Sequence, residues 1–491
     1  MVEKLVSQSR NKKALILSAG KLVSFVLTFF VPIFLSRYLL VEEYGSYKQV
    51  VLIWILSYQV FGLGIDQGLF FFMKQAPEDT PIYALNVLFF NTVSVAILMG
   101  IGFLFTDQLS SFLDNPTIKD IYPSFFFLVL VSLPSQHFEH YLMVLDKIKL
   151  NLIVQIVSEV SKSIIIVGLY YFYKDLKIVI QGLICFYSLR LLVLILFNVN
   201  MIKQMNLTRS YQHIFSTLKA QIRYGLPIGF SKISEAFLSY DKLIISSFFS
   251  LRTFTMYSVG CFDIPFLPSM ANTYLDLMAV DMLTKKGIHS DALKIWKDVI
   301  SKIFLILIIP VVFLFFYADE FFVLIFSKKY LNSSPIFRLY LINFILISMN
   351  AEVLYRVFNE GKKLAALYGT YVFSSVIAVS IGAYLGNIYF CLIGKFVCTI
   401  MYSLMLLKDA KGFFKTDFKE LLPWGEMGIT FASVITAGIV SRLIVTAAPI
   451  SNGFTILVIG GSIFSILVAV ILNFLGILPI VSFLKRRYQI G

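Results

Sequence analysis

Charge, cysteine and histidine are all scarce in this chain. Of its 491 residues only 14% are charged and four are histidine, where a soluble protein of this length carries about 25% charged residues and divides into several domains. A water-soluble reading is excluded. The four cysteines (Cys185, Cys261, Cys391, Cys398) all fall inside apolar stretches without metal-type spacing, so they frame neither a disulfide scaffold nor a zinc site. His137-Phe138-Glu139-His140 offers two histidines at i, i+3 and no further ligand, too little for a metal centre. There is no phosphate-binding P-loop, and Gly62-Leu63-Gly64-Ile65-Asp66-Gln67-Gly68 does not fit the dinucleotide fingerprint. No nucleophile–base pair stands out. A metal, a cofactor, an ATPase and an enzyme are all set aside as expectations.

Long hydrophobic runs take the place of charge. Residues 14–36 are interrupted only by Lys21, and 82–105, 152–173, 302–318, 364–385 and 454–484 are similar. Each meets or approaches the roughly 20 residues needed to cross a hydrocarbon layer of about 30 Å. The expected fold is all-α and integral to the membrane, with about fourteen helices near 14–38, 46–72, 82–105, 122–144, 151–172, 178–199, 224–249, 256–280, 300–318, 335–357, 365–386, 389–407, 422–445 and 454–484. The amino-terminal run follows Lys4, Arg10, Lys12 and Lys13 but is too long for a signal core and lacks a small-residue cleavage pattern, so it is expected to stay as the first helix.

The net charge of +14 does not form one basic face, which argues against nucleic acid. With the amino terminus inside, about 25 basic residues fall in inside segments and about six in outside ones. Both termini are therefore expected in the cytoplasm of a bacterial-type inner membrane, where the excess lysines also favour anionic lipid. The longest outside loops, 106–121 and 319–334, are too short to hold a soluble catalytic domain. The inside stretch 281–301, with Ile288, Leu293, Ile295, Trp296 and Val299 amid Lys and Asp, reads as an interfacial linking helix or a partner-docking segment.

Helices 1–6 and 7–12 show a faint repeat. Lys21 and Lys232 stand 211 positions apart, and Tyr47 and Tyr257, each after an outer turn, stand 210 apart. An even number of helices per half gives a parallel repeat. The expected organisation is an N-lobe at 1–199, a cytoplasmic linker at 200–223, a C-lobe at 224–407, and helices 13 and 14 with a basic tail at 408–491.

Four stretches carry a family resemblance. Ser36-Arg37-Tyr38-Leu39-Leu40-Val41-Glu42-Glu43-Tyr44-Gly45-Ser46-Tyr47, Tyr224-Gly225-Leu226-Pro227, Asp241-Lys242-Leu243-Ile244-Ile245 with Met256-Tyr257-Ser258, and Ile325-Phe326-Ser327-Lys328-Lys329-Tyr330 are similar to turn and packing signatures of the multidrug/oligosaccharidyl-lipid/polysaccharide exporter superfamily. In particular the chain resembles its Wzx-type O-antigen and capsule-unit flippases. Leu40 and Ser327 depart from the usual glycines, so those turns are expected to differ. The resemblance implies a two-lobed transporter whose helices 1 and 7 line a central cavity. It implies a polyprenyl-pyrophosphate-linked oligosaccharide as substrate, and a polysaccharide polymerase and glycosyltransferases as partners. A cation-coupled multidrug exporter of the same superfamily is the competing transport reading. A membrane-embedded glycosyltransferase or polymerase is the competing enzymatic one.

Charge inside the membrane costs about 2.5–3.5 kcal/mol even on the lenient scale, so each buried ion needs a reason. Glu159 and Lys162, at i, i+3, are expected to pair. Arg190, Arg338, Arg356 and Arg442 are expected to snorkel from near helix ends. On the implied cavity, Lys21 and Lys232 are the candidate pyrophosphate ligands, with Arg37 and Lys48 at its outer mouth. Glu235, Asp263 and Glu352 are candidate ion carriers. Pro32 and Pro227 mark candidate hinges, and Gly225 and Gly229 make a small-x-x-x-small pair for close helix packing.

Overall fold

The computed structural model describes residues 30–62, 64–204, 211–236, 239–264, 266–284, 289–449 and 452–477. Every regular element among them is helical. Ten are long and apolar enough to cross a membrane. These ten match the expected helices 3–6 and 9–14. Helix 1 lies mostly outside the described residues, with 30–38 helical (α1). The other three expected spans are divided. Helix 2 becomes α2 (Val41–Phe61) and α3 (Gly68–Gln75), separated by a 3₁₀ turn at Ile65–Gln67. The continuous apolar run between them hides a break at Gly64, whose φ of +69° belongs to the left-handed region open to glycine.

The chain divides between Thr255 and Met256 into two compact units. The first continues with α4 (Thr80–Leu104), α5 (Thr106–Phe112), α6 (Thr117–Val144), α7 (Ile148–Tyr173), α8 (Leu176–Gln204), α9 (Tyr211–Ala236) and α10 (Tyr240–Phe248). Helix α6, which contains Pro123 and Pro134, packs against α2, α3, α4, α7 and α8. Apolar side chains of α3, α4, α6 and α8, among them Met73, Val87, Leu142 and Leu194, close the core at one end. At the other end a polar seam replaces it. Fully buried Gln49 of α2 donates to Leu113 O (2.9 Å) and to Ser246 Oγ of α10 (2.7 Å), and it accepts from Asn115 Nδ2 at 2.6 Å. In an apolar surround each of these amides would be costly unpaired, so the seam fixes the register of three elements.

α11 (Leu251–Gly260) begins 210 residues after α2, the spacing of the repeat. The second unit then holds α12 (Phe266–Thr284), α13 (His289–Phe316), α14 (Ala318–Ile325), the short α15 (Ser334–Tyr340), α16 (Ile342–Ile347) and α17 (Glu352–Val357), α18 (Gly361–Tyr384), α19 (Ile388–Phe414), α20 (Phe418–Leu421), α21 (Trp424–Ala447) and α22 (Gly453–Phe474). Helices 7 and 8 of the sequence reading are thus segmented like helix 2, and helix 10, though apolar enough as a whole, is also made of short helical pieces. The amphipathic stretch 281–301 is not a separate interfacial helix: from His289 onward it is the first part of α13. Its Trp296 is wholly buried beside Phe414 and donates to Leu421 O at 3.1 Å. The apolar stripe faces protein, which periodicity alone cannot distinguish from a stripe facing lipid.

Two glycines let α13 and α14 sit tightly under α21 and α22. A Cβ on Gly438 would lie 2.5 Å from the Phe316 ring, and one on Gly460 2.5 Å from Tyr317. Tyr317 hydroxyl meets Ser441 Oγ at 3.0 Å.

Candidate functional site

Three glycines build the joint between the break in helix 2 and α9. A Cβ placed on Gly64 would come within 2.5 Å of Gly229 N and 2.8 Å of Gly225 O, and one on Gly225 within 2.9 Å of Ile65 Cα. Backbone therefore lies directly on backbone, as the Gly225/Gly229 spacing anticipates. Tyr224, one residue before, stacks on Phe71 of α3 with centroids 4.9 Å apart and planes 10° apart.

Below the joint, α9 is held to α4 by a polar ladder at helical spacing. Asn86 Nδ2 donates to Thr217 Oγ1 (3.0 Å) and Gln221 Oε1 (2.9 Å), and Gln221 Nε2 donates to Tyr83 O (3.2 Å). His213 Nε2 meets Asp79 Oδ2 at 2.8 Å. Positions 213, 217 and 221 recur every four residues, so one face of α9 is polar and docked. Helix α9 therefore belongs to the first unit, beyond the repeat-based boundary at 200–223. Much of that expected linker is itself helical, since α8 runs to Gln204 and α9 starts at Tyr211.

The candidate site residues separate into three groups. Lys21 lies outside the described residues, as do the side chains of Lys232, Glu235 and Pro227, all of which fall within α9. Pro32 is half-buried in α1, with Arg37 exposed one residue before its end. Lys48 of α2 is half-buried, its ammonium 5.4 Å from the centroid of the Tyr44 ring. In the second unit, Asp263 is exposed and accepts from the Tyr340 hydroxyl. Glu352 is half-buried and accepts from the Tyr402 hydroxyl at 2.9 Å, with Tyr371 stacked on Tyr402 at 4.9 Å.

Residue spacing missed the strongest electrostatic feature. Arg190 does not snorkel. It sits midway along α8, roughly 20 Å from either end, with its side chain only 8% exposed, and pairs with Glu139 Oε1 of α6 at 2.9 Å. Ser158 Oγ of α7 accepts from the same guanidinium at 3.1 Å. One residue on, Glu159 pairs with Lys162 at 2.5 Å as expected. Two acids and two bases from α6, α7 and α8 thus make a net-neutral cluster inside the first unit, flanked by Trp54 edge-on to Tyr187. The available clue was the position of Arg190 in its apolar run: too central for a stem of about 6 Å to reach water.

Arg338 and Arg442 are near helix ends but are also paired. Arg338 binds Asp319 at 2.9 Å, and Arg442 binds Glu320 at 2.7 Å while lying over the Tyr317 ring. The side chain of Arg356 is outside the described residues. Glu139, drawn into the pair with Arg190, and His137, in contact with Asn91, have separate partners. Among the described residues no group of three potential metal ligands assembles.

The sequence profile described as "Polysaccharide biosynthesis protein" matches residues 11–272. The fold is similar to "Lipid II flippase MurJ, inward closed conformation", with a TM-score of 0.69 over 94% of this chain and 99% of that one at 13% identity. A weaker likeness, TM-score 0.48 at 13% identity over 83% and 98%, is to the Vibrio cholerae MATE transporter VcmN in its bent form. No curated protein matches the sequence.

Proposed function

The chain belongs to the polysaccharide biosynthesis protein family, and from that premise we propose that it is a flippase carrying polyprenyl-pyrophosphate-linked oligosaccharide units across the bacterial inner membrane for surface polysaccharide assembly. The observation that carries the reading is the family match over 11–272, which contains both lysine-bearing helices, on a fold similar over 94% of this chain to that of a lipid II flippase.

In this reading Lys21 and Lys232 receive the pyrophosphate in a wet cavity lined by helices 1 and 7, with Arg37 and Lys48 at its mouth. A buried lysine costs about 2.5–3.5 kcal/mol, while a phosphate charge about 4 Å away contributes about 4 kcal/mol at an effective dielectric of 20. Two lysines facing a dianion recover their burial cost only when substrate is bound. The polyprenyl tail stays in lipid, and helices 1 and 7 bend at Pro32 and Pro227 as access alternates. With no nucleotide-binding loop in the sequence, the drive comes from an ion gradient, the membrane potential or removal of the product by a polymerase. Glu235, Asp263 and Glu352 are the candidate carriers for a coupled ion.

The test replaces Lys21 and Lys232 together with Ala and measures surface polysaccharide at matched protein levels. A loss of about tenfold or more is expected; undiminished polysaccharide removes the cationic-cavity assignment. Drug efflux with no effect on polysaccharide would favour the multidrug reading.

A further inference from the structure

The turn that carries the family resemblance, 36–47, also walls a cavity of about 470 Å³ at one end of the first unit. This volume falls within the range of about 300–1,000 Å³ usual for small-molecule sites. The cavity lies where α6 and α8 begin and α7 ends, the end that the basic-residue distribution assigns to the outside. Its floor is buried and mostly apolar, made by Leu39, Ile121 and Tyr170. Its lining carries both signs of charge, with Glu43 and Asp120 alongside Lys174 and Lys177. Asp175, also in the lining, is engaged in accepting from Lys177 N at 2.8 Å.

Part of this wall is held in place before any ligand arrives. Glu43 Oε2 accepts from Leu40 N at 2.9 Å and from the Tyr170 hydroxyl at 3.3 Å, so the turn and the end of α7 are pinned together. Lys174 adopts φ +50° as the C-cap of α7, with its N–H bonded to Tyr170 O, so the helix ends at the cavity wall. Asp120, Lys174 and Lys177 are exposed and make no side-chain bond or ion pair among the described residues.

The charge pattern selects the ligand. Pyrophosphate would meet carboxylates at close range, and a cation would meet ammonium groups; each repulsion opposes binding. A neutral polyhydroxyl ligand satisfies both, because each hydroxyl donates to a carboxylate and accepts from an ammonium. Tyr170 and the leucine and isoleucine of the floor suit the apolar face of a sugar ring. We propose that this cavity is a glycan subsite, which holds the sugar head of the transported unit at the outer end of the first unit while the phosphate-binding lysines act elsewhere. The assignment rests on the flippase reading and names the part of the substrate that this cavity takes.

The experiment uses the full chain in nanodiscs. Two probes are titrated: the host's own repeat-unit saccharide, freed of its lipid by mild acid, and inorganic pyrophosphate. Saccharide binding is read by saturation-transfer NMR and pyrophosphate binding by calorimetry. Asp120→Asn with Lys177→Gln alters only exposed side chains, so the fold is kept. Losing the charge from two charge-assisted hydrogen-bonding groups should weaken saccharide binding about tenfold or more and leave pyrophosphate binding unchanged. Glu43→Gln, which still reaches back to Leu40 N, should weaken it by a smaller factor. Saccharide binding that is absent from the unaltered chain, or undiminished in the double variant, overturns the subsite. So does loss of pyrophosphate binding in that variant. None of these outcomes touches the export assay on Lys21 and Lys232, so the two readings fail separately.

Discussion

Removing one member of the Arg190–Glu139 pair should do more harm than removing both. A buried ion pair breaks even at best against well-packed apolar residues, whereas a single partner left behind is an uncompensated charge costing about 3–5 kcal/mol. The structure also ranks the two single variants. The Arg190 side chain is 8% exposed and Glu139 30% exposed, so Glu139→Leu strands the deeper charge, while Arg190→Leu strands one that still touches its surroundings. Ser158 Oγ gives the stranded guanidinium one remaining acceptor, too little to neutralise it. For a unit of this size each kcal/mol moves the thermal midpoint by about 2–4 °C, so Glu139→Leu should lower it by about 10 °C. Arg190→Leu should lower it by less, and the double variant should stay near the unaltered protein. The assay is thermal unfolding of the purified chain in detergent, followed by loss of the monodisperse peak. A double variant as unstable as Glu139→Leu, or a single variant within about 2 °C of the parent, refutes the reasoning.

Gly64→Ala should fail at the same level of expression, because the new methyl meets backbone 2.5 Å away and the φ of +69° disfavours any side chain. Folded yield by size-exclusion checks it, and a normal yield contradicts the joint. Asn86→Leu leaves Thr217 and Gln221 without their donor, so a loss of about 1–3 kcal/mol is expected, read as a lower thermal midpoint. Asp319 gives a pH signature. Its partial burial acts to raise the carboxyl, but the Arg338 guanidinium and the Ser334 hydroxyl outweigh it and hold Asp319 below the ordinary carboxylate value. Its contribution is therefore full above the unfolded value and disappears as pH falls through the lower folded one. Asp319→Asn should be less stable than the parent at neutral pH, and the two unfolding curves should converge in strong acid; parallel curves at every pH would contradict this.

What the sequence disclosed was set by what composition encodes. Apolar length located the ten stretches long and apolar enough to cross a membrane, because few other demands on a chain keep some 20 residues so poor in charge. Gly225 and Gly229 announced a close contact through spacing alone. The Glu159–Lys162 pair was legible because its partners are neighbours on one helix. Arg190 and Glu139 lie 51 positions apart, and no local period links them. The break at Gly64 was equally silent, since Phe61, Leu63 and Ile65 keep the run apolar through the bend. Trp296 shows the remaining ambiguity: an amphipathic stripe states that something apolar covers it, and only the packing of Leu421 and Phe414 identifies the cover.

The glycine joint has a mechanical consequence. Most helix contacts are padded by side chains that can change rotamer and so take up a small displacement. Where Gly64 meets Gly225 and Gly229 there is no such padding, and a tilt of α9 has nowhere to dissipate before it reaches the 3₁₀ turn. Any tilt of α9 would thus be handed on to α3 nearly undamped, with the stacked Tyr224 and Phe71 rings carrying it like a rigid key.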